Sequence, residues 1–175
     1  MTKKESLFIK TYTAVFSAII LFSTMLVKFS TGLGEGYIHF GDCFIYLSAC
    51  ILPFPYCLIA GALGGALADI LGGFAIWAIP TAIIKMLIAL PFAITCKNNK
   101  SHKILNKKTA LMPIISGIIS ILGYFIAECI LYSVASATLS LIGNTIQAVA
   151  SGFLFLIIAK ATDKINLKSK ISKGV

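Results

Sequence analysis

The segment "CILPFPYCLIAGALGGALADILGGF", residues 50–74, decides how the apolar chain around it divides into helices. Pro53 and Pro55 interrupt the apolar run near its start, and the pair Gly72–Gly73 interrupts it near its end. Proline removes a backbone donor and glycine is costly inside a helix, so both positions predict breaks. The apolar region 43–95 therefore divides into three predicted helices, at about 43–55, 57–72 and 76–95, rather than two long ones.

The whole chain has the composition of a membrane protein. Of its 175 residues, 58% are hydrophobic and 12% are charged, and the mean hydropathy is +0.96. Soluble domains carry about a quarter charged residues. The apolar runs are continuous rather than alternating, which favours helices over a β-barrel. We predict an all-α, polytopic protein that crosses the cell membrane several times, with a bacterial plasma membrane as its location.

The basic residues indicate membrane orientation rather than nucleic-acid binding. All 15 are lysines and the net charge is +9, whereas phosphate and base recognition rely heavily on arginine. Thirteen of the lysines form three clusters, at residues 3–10, 97–108 and 160–173. The positive-inside rule predicts that all three clusters are cytoplasmic. An even number of crossings must then separate the first two clusters.

The first helix and the three helices predicted within residues 43–95 together give an even number of crossings before residue 97, whereas the first helix and two long ones would give an odd number. We therefore predict one transmembrane domain over residues 1–175, with six transmembrane helices and both termini cytoplasmic. A lysine-rich loop at 96–108 and a tail at 160–175 face the cytoplasm, whereas 29–42, 72–76 and 133–139 face outward. The predicted helices lie at about 11–28, 43–55, 57–72, 76–95, 109–132 and 140–159.

The last three predicted helices each carry a stripe of polar residues at helical spacing. Ionisable groups inside a span are costly and often mark function. Counting about 1.5 Å per residue places the charged and amide groups of these stripes in the outer half of the bilayer. A structural alternative is that Lys85 pairs with Asp69 or Glu128 only to hold the bundle together. The stripes are Trp77, Thr81 and Lys85; Ser116, Ser120, Tyr124 and Glu128; and Asn144, Gln147 and Ser151.

The stretch "GLGEGYIHFGDCFIYL", residues 32–47, concentrates scarce polar residues on the predicted outer side. Its glycines predict a loop that folds over the polar stripes as a lid, with Tyr37 and His39 reaching the solute. Asp42 is predicted to cap or anchor the start of the second helix. Glu35 and His39 are four apart, but the same glycines argue against a helical turn, so we predict no metal site.

Catalytic motifs are missing from the sequence. It contains no GxxxxGK[ST], HExxH or GxSxG pattern, so we predict neither an enzyme nor an ATP-binding chain. A small membrane enzyme would need a nucleophile and base or a metal cluster, and no such set of residues is visible.

Three blocks in order, "GYIHFGD", "GALGGALADILGG" and "WAIPTAIIKML", give the chain a family resemblance. Over about residues 11–160 it resembles the substrate-binding S components of energy-coupling factor (ECF) vitamin transporters, in the riboflavin-type or hydroxymethylpyrimidine/pyridoxine-type branch. The resemblance implies capture of a vitamin outside the cell and docking on a membrane coupling subunit that carries two cytoplasmic ATPases. It implies no cofactor for the chain itself, because its partners hydrolyse ATP. An alanine-x-x-x-alanine docking pattern in helix 1 is matched by Ala14 and Ala18.

The resulting hypothesis is a high-affinity capture subunit of an ATP-driven importer. Pyridoxine-like or hydroxymethylpyrimidine-like solutes are favoured, with riboflavin behind. The alternative is an autonomous small-solute carrier or channel without ATPase partners, which an inverted repeat would favour, and we find no such repeat in the sequence. The predicted substrate-binding residues are Tyr37, His39, Trp77, Lys85, Tyr124, Glu128, Asn144 and Gln147.

Overall fold

The computed structural model describes residues 3–26, 29–30, 37–97 and 103–172. These residues are almost entirely helical, as the composition predicts. Two short strands, which the sequence did not predict, pair Phe29 with Ile38 and Ser30 with Tyr37 in antiparallel order. In chain order the elements are α1 (Lys3–Leu26), β1 (Phe29–Ser30), β2 (Tyr37–Ile38), α2 (Gly41–Ile51), α3 (Tyr56–Leu71), a 3-10 turn (Ala75–Trp77), α4 (Ala78–Lys97), α5 (Lys107–Leu131), α6 (Val134–Lys164) and α7 (Leu167–Ser172).

Four of the helical segments are long and apolar enough to cross a membrane: α1, α4 with its preceding turn, α5 and α6. Their outer surfaces are apolar, since Leu122, Ile130 and Phe153 are between 55% and 77% exposed. Such faces are stable against lipid and would be unfavourable in water. The chain is therefore a membrane protein. The shorter helices α2 and α3 have 11 and 16 residues, or about 16 Å and 24 Å at 1.5 Å per residue, against a hydrocarbon core of about 30 Å.

The helix breaks fall where the proline and glycine pairs predicted them. Pro53 and Pro55 separate α2 from α3, and the turn after α3 contains Gly73 at a φ of +86°, a conformation that favours glycine. The predicted start of the sixth helix at 140 was too late. Ser133 caps α6 by accepting a hydrogen bond from the Ser136 amide, so the predicted outer loop 133–139 lies mostly within this helix.

The loop and the tail that were predicted to be cytoplasmic also differ from their predicted extents. Helix α4 continues to Lys97, and α5 begins at Lys107, where Asn106 forms a capping box with Thr109. Helix α6 continues to Lys164, and α7 occupies part of the predicted tail. Apolar content alone marked the predicted ends, so polar helical turns beyond the apolar run went undetected. The same reason explains why α1 begins at Lys3 rather than near residue 11.

Helix α3 packs closely against α1 on one side and α4 on the other because its contact positions are glycines. A Cβ atom on Gly64 would lie 2.7 Å from Ile20 Cβ and 2.8 Å from the Ser17 carbonyl oxygen. A Cβ atom on Gly65 would lie 2.8 Å from Lys85 Cγ. Small residues spaced four apart, here Ala60, Gly64 and Ala68, favour such a close approach of helices in lipid. It leaves the stem of Lys85 lying directly against the backbone of α3.

Helix α2 occupies the centre of the bundle, in contact with α1, α3, α4 and α6. Nearly every residue of α2 is buried. Its Tyr46 ring stacks on Phe92 with a centroid distance of 4.6 Å and meets the edge of Phe155 at 6.0 Å. This aromatic cluster fills the bundle core one turn of α2 beyond Asp42.

Candidate functional site

A buried ion pair joins the first turn of α2 to the middle of α4. The Nζ atom of Lys85 lies 2.5 Å from Oδ1 of Asp42, and both side chains are 1% exposed. Lys85 Nζ also lies 5.2 Å from the centroid of the Tyr124 ring, within the range of a cation–π contact. Buried charges are tolerated when they are paired and hydrogen-bonded. Each of these two groups therefore depends on the other.

Gln147 of α6 extends the pair into a network. Its Nε2 donates to Asp42 Oδ2 at 3.1 Å, and its Oε1 accepts a hydrogen bond from the His39 backbone amide at 3.3 Å. The Gly41 amide in turn donates to His39 Nδ1 at 3.1 Å. Helices α2, α4 and α6 and the residue that follows β2 are thereby tied together at one point.

This network corrects two sequence-based interpretations. Asp42 does not cap α2, because Phe40 occupies the N-cap position and no side chain caps the helix. The other half of that prediction is confirmed, since the Asp42 carboxylate anchors the first turn of α2 by accepting hydrogen bonds from Lys85 and Gln147. The structural alternative named the wrong partners for the lysine, because Lys85 pairs with Asp42 rather than with Asp69 or Glu128. Hydrophobic periodicity could not show that the start of α2 lies at the same depth as Lys85.

The network forms one side of a pocket between α1, α3, α4, α5 and α6. The cavity at its centre has a volume of about 60 Å³. Seven of the eight predicted binding residues line it, whereas Tyr37 belongs to β2 and its side chain lies outside the described part of the chain. The lining residues are Thr24, His39, Gly65, Asp69, Phe74, Trp77, Thr81, Lys85, Tyr124, Glu128, Asn144 and Gln147.

Aromatic side chains form a second wall of the pocket. The Trp77 ring lies 6.0 Å from Tyr124 and 5.9 Å from Tyr132, measured between centroids. Trp77 Nε1 donates to the Tyr132 hydroxyl at 3.2 Å, which fixes the orientation of the indole. Flat apolar faces held in this way suit a planar ring. An aromatic solute requires these side chains to separate, because the cavity between them, at about 60 Å³, is too small for a ring system.

Polar atoms from α1, α5 and α6 at the pocket are buried and have no hydrogen-bond partner among the described residues. They are Oγ1 of Thr24, Oε2 of Glu128 and Nδ2 of Asn144. Most buried polar groups in proteins are hydrogen-bonded, so an unused set lining one pocket indicates bonding capacity kept for a solute. The set contains both donors and acceptors, so it can form hydrogen bonds with a solute that carries acceptors and donors along one edge.

Comparison with known families agrees with this geometry. The family model of the ECF-type riboflavin transporter S component matches residues 7–164. The chain belongs to this family. It is accordingly a substrate-binding subunit of a vitamin transporter rather than an enzyme, and the family functions with ECF partners in a membrane-embedded transport module. No curated protein matches the chain.

Several residues that line the pocket of this S component were not among the binding residues predicted from the sequence. Asp69 was not among the predicted binding residues, yet it is buried and lines the pocket. Thr24 approaches from the end of α1, where no polar stripe points to it. Gly65 lines the pocket next to the stem of Lys85, whose Cγ atom would lie 2.8 Å from a Cβ atom on this glycine. Thr81 belonged to the predicted stripe of α4 and could have been selected from it.

The remaining predicted features of the S component lie elsewhere. Ala14 is exposed on α1, and Ala18 lines an apolar groove between α1, α2 and α6; a docking role for both stays a prediction. Glu35 lies outside the described residues, as do the other residues of the predicted lid before Tyr37. All five cysteines are free, and four are buried, as expected of packing residues. In the described ranges, no three His, Cys, Asp or Glu side chains come close enough to hold a metal ion.

Proposed function

We propose that this S component captures riboflavin, or a closely similar flat vitamin, from outside the cell. The observation that carries the proposal is the pocket itself, in which aromatic rings, unused polar atoms and a buried ion pair surround one space. Its volume of about 60 Å³ lies below the range of about 300–1,000 Å³ typical of small-molecule sites, so the proposed complex requires the aromatic side chains to separate around the vitamin.

Riboflavin has a flat ring system with acceptors and a donor along one edge, and a hydroxylated side chain. In the proposed complex the ring stacks on Trp77 and Tyr124, while its polar edge bonds to Glu128 and Asn144. The name of the matched family supports proposing riboflavin before the pyridoxine-like and pyrimidine-like solutes that the sequence favoured. A three-ring system also makes fuller use of the two aromatic faces than a single ring does.

Lys85 and Asp42 have a shared role in this proposal. Their mutual contact, together with Gln147, holds α2, α4 and α6 at the spacing that the pocket needs. His39 closes the same network through its backbone amide. A solute that touches Lys85 therefore meets a group whose position is already fixed, and little ordering is needed on binding.

Transport itself is proposed to need partners. The chain has six crossings with both termini cytoplasmic in a bacterial plasma membrane, binds no cofactor, and docks on a coupling subunit that carries two cytoplasmic ATPases. Docking is through Ala14 and Ala18 of α1. The lysine clusters near residues 3–10, 97–108 and 160–173 support this orientation.

Titration of riboflavin against the purified chain tests the site, with quenching of flavin fluorescence as the readout. We expect Asn144→Ala and Trp77→Ala each to weaken binding by on the order of tenfold, because each removes a hydrogen bond or an aromatic contact. Phe153→Ala, on the lipid-facing side of α6, is the matched control and should leave affinity unchanged. Equal affinity in all three variants would overturn the site assignment. Competition by pyridoxine or hydroxymethylpyrimidine at lower concentration than riboflavin would overturn the substrate while leaving the site intact.

A pull-down from membranes tests the partners. Recovery of a coupling subunit and ATPases should be lost in the Ala14→Leu/Ala18→Leu variant, because larger side chains prevent close helix approach. Ala135→Leu, at an exposed position of α6, is the control. Riboflavin uptake by cells that lack the ATPases would instead support the autonomous carrier.

A further inference from the structure

A second cavity lies at the end of the bundle opposite the vitamin pocket. It encloses about 400 Å³ between the first half of α1, the end of α2, the end of α4 and α7. The cavity exists because α2 ends at Ile51 after only 11 residues, which leaves a recess that neighbouring helices surround. Helix α7 borders the recess with Ile171, which is buried.

The walls of this recess are apolar and its charged lining residues are basic. Phe8 and Tyr12 of α1 and Ala93 of α4 contribute to the walls, and Phe54, which is 58% exposed, extends them toward the lipid-facing surface. The two charged residues that line the recess are Lys97 and Lys168. A ligand that fits this lining needs an apolar part for the walls and an anionic group for the lysines.

We propose that this recess binds one anionic phospholipid, with its phosphate at Lys97 and Lys168 and part of an acyl chain against Phe8 and Phe54. Phospholipid is the occupant favoured by position as well as by charge. All three lysine clusters of the chain are predicted to lie at this end, on the cytoplasmic side, where anionic lipids attract basic residues. Phe54 lines the recess and is exposed, so the apolar wall continues from the recess to the protein surface.

A competing explanation is that the lysines only offset the partial negative charges at the carboxyl ends of helices. Lys97 is in the last turn of α4, where a cation is favourable without any ligand. That explanation predicts the same stabilisation by Lys97 and Lys168 in every lipid. The phospholipid site instead predicts a dependence on headgroup charge that disappears when the two lysines are replaced.

Native mass spectrometry of the full chain in neutral detergent tests the proposal, with dioleoylphosphatidylglycerol and dioleoylphosphatidylcholine as probes. We expect one phosphatidylglycerol molecule to bind at least on the order of tenfold more tightly than phosphatidylcholine. Lys97→Gln/Lys168→Gln should abolish this preference. The matched control, Lys160→Gln/Lys164→Gln, removes the same charge from the exposed end of α6 and should keep it.

The Ala93→Phe variant tests the recess independently of the lysines, because the larger side chain fills the recess and leaves both lysines in place. It should also lose the phosphatidylglycerol preference, and a thermal unfolding scan checks that the variant is folded. The proposal is overturned if Lys97→Gln/Lys168→Gln keeps the preference or if the control pair loses it equally. It is also overturned if the lysine variant is destabilised equally in both lipids without any change in headgroup preference, or if folded Ala93→Phe binds as the wild-type chain does.

Discussion

Replacing Asp42 by asparagine should destabilise the chain strongly, because it leaves the Lys85 ammonium buried without a counter-charge. Both side chains are 1% exposed, so solvent does not screen the loss. The hydrogen bond from Gln147 also loses its charged acceptor. Removal of one member of a buried ion pair costs about 3–5 kcal/mol. For a chain of this size that corresponds to a drop in melting temperature on the order of 10 °C.

The double variant Asp42→Asn/Lys85→Gln separates the pair from other effects. It removes both charges and retains two amides that can hydrogen-bond, so most of the stability should return. Thermal unfolding of the four proteins of this cycle in one neutral detergent gives the coupling between the two sites. Lys108→Gln, at an exposed position of α5, controls for loss of a lysine. The reasoning fails if Asp42→Asn melts within about 2 °C of the wild type, or if the double variant is as unstable as the sum of the single ones.

Three further substitutions test the packing that positions the pocket. Gly64→Ala should lower the free energy of unfolding by about 1–3 kcal/mol despite its gain in helix propensity, because the new Cβ atom would lie 2.7 Å from Ile20 Cβ. Thermal unfolding measures this loss, with Leu63→Ala on the exposed face of α3 as the control. Ser116→Ala should lower the free energy of unfolding by about 0.6–1.7 kcal/mol, because the Ser116 hydroxyl donates a hydrogen bond across the α4–α5 interface to the Ile88 carbonyl at 2.7 Å. An unchanged melting temperature would contradict this role. Asp163→Ala should speed limited proteolysis between α4 and α5, because its carboxylate accepts the amides of Ile104 and Leu105 at 2.7 and 2.9 Å; cleavage at the wild-type rate would contradict it.

The helical class and the breaks between helices could be predicted because they depend on local properties. Continuous apolar runs, two prolines and a glycine pair are visible without knowledge of the fold. The stripes of α4, α5 and α6 were also visible, since residues spaced by three or four share a helix face. Their convergence on one pocket followed from counting residues along helices of alternating direction.

The partner of Lys85 could not be predicted in the same way. Asp42 lies 43 positions before it, in a helix of 11 residues whose depth in the bundle depends on the whole packing arrangement. Its place near the helix start favoured a cap, because local rules give that role to aspartate. The tertiary contact with Lys85 and Gln147 overrode this preference. Thr24 was missed for a related reason: only the packing of α1 brings its end to the pocket.

The ion pair at the pocket also limits which form of a vitamin the proposed site accepts. The one lysine among the described lining residues is already neutralised by Asp42, while Asp69 and Glu128 add two further carboxyl groups to the same lining. A phosphate ester would therefore approach acidic groups without gaining an available cation, and its desolvation would go uncompensated. The electrostatics of the site thus favour the free vitamin over its phosphorylated forms, so the pocket selects its cargo by charge as well as by shape.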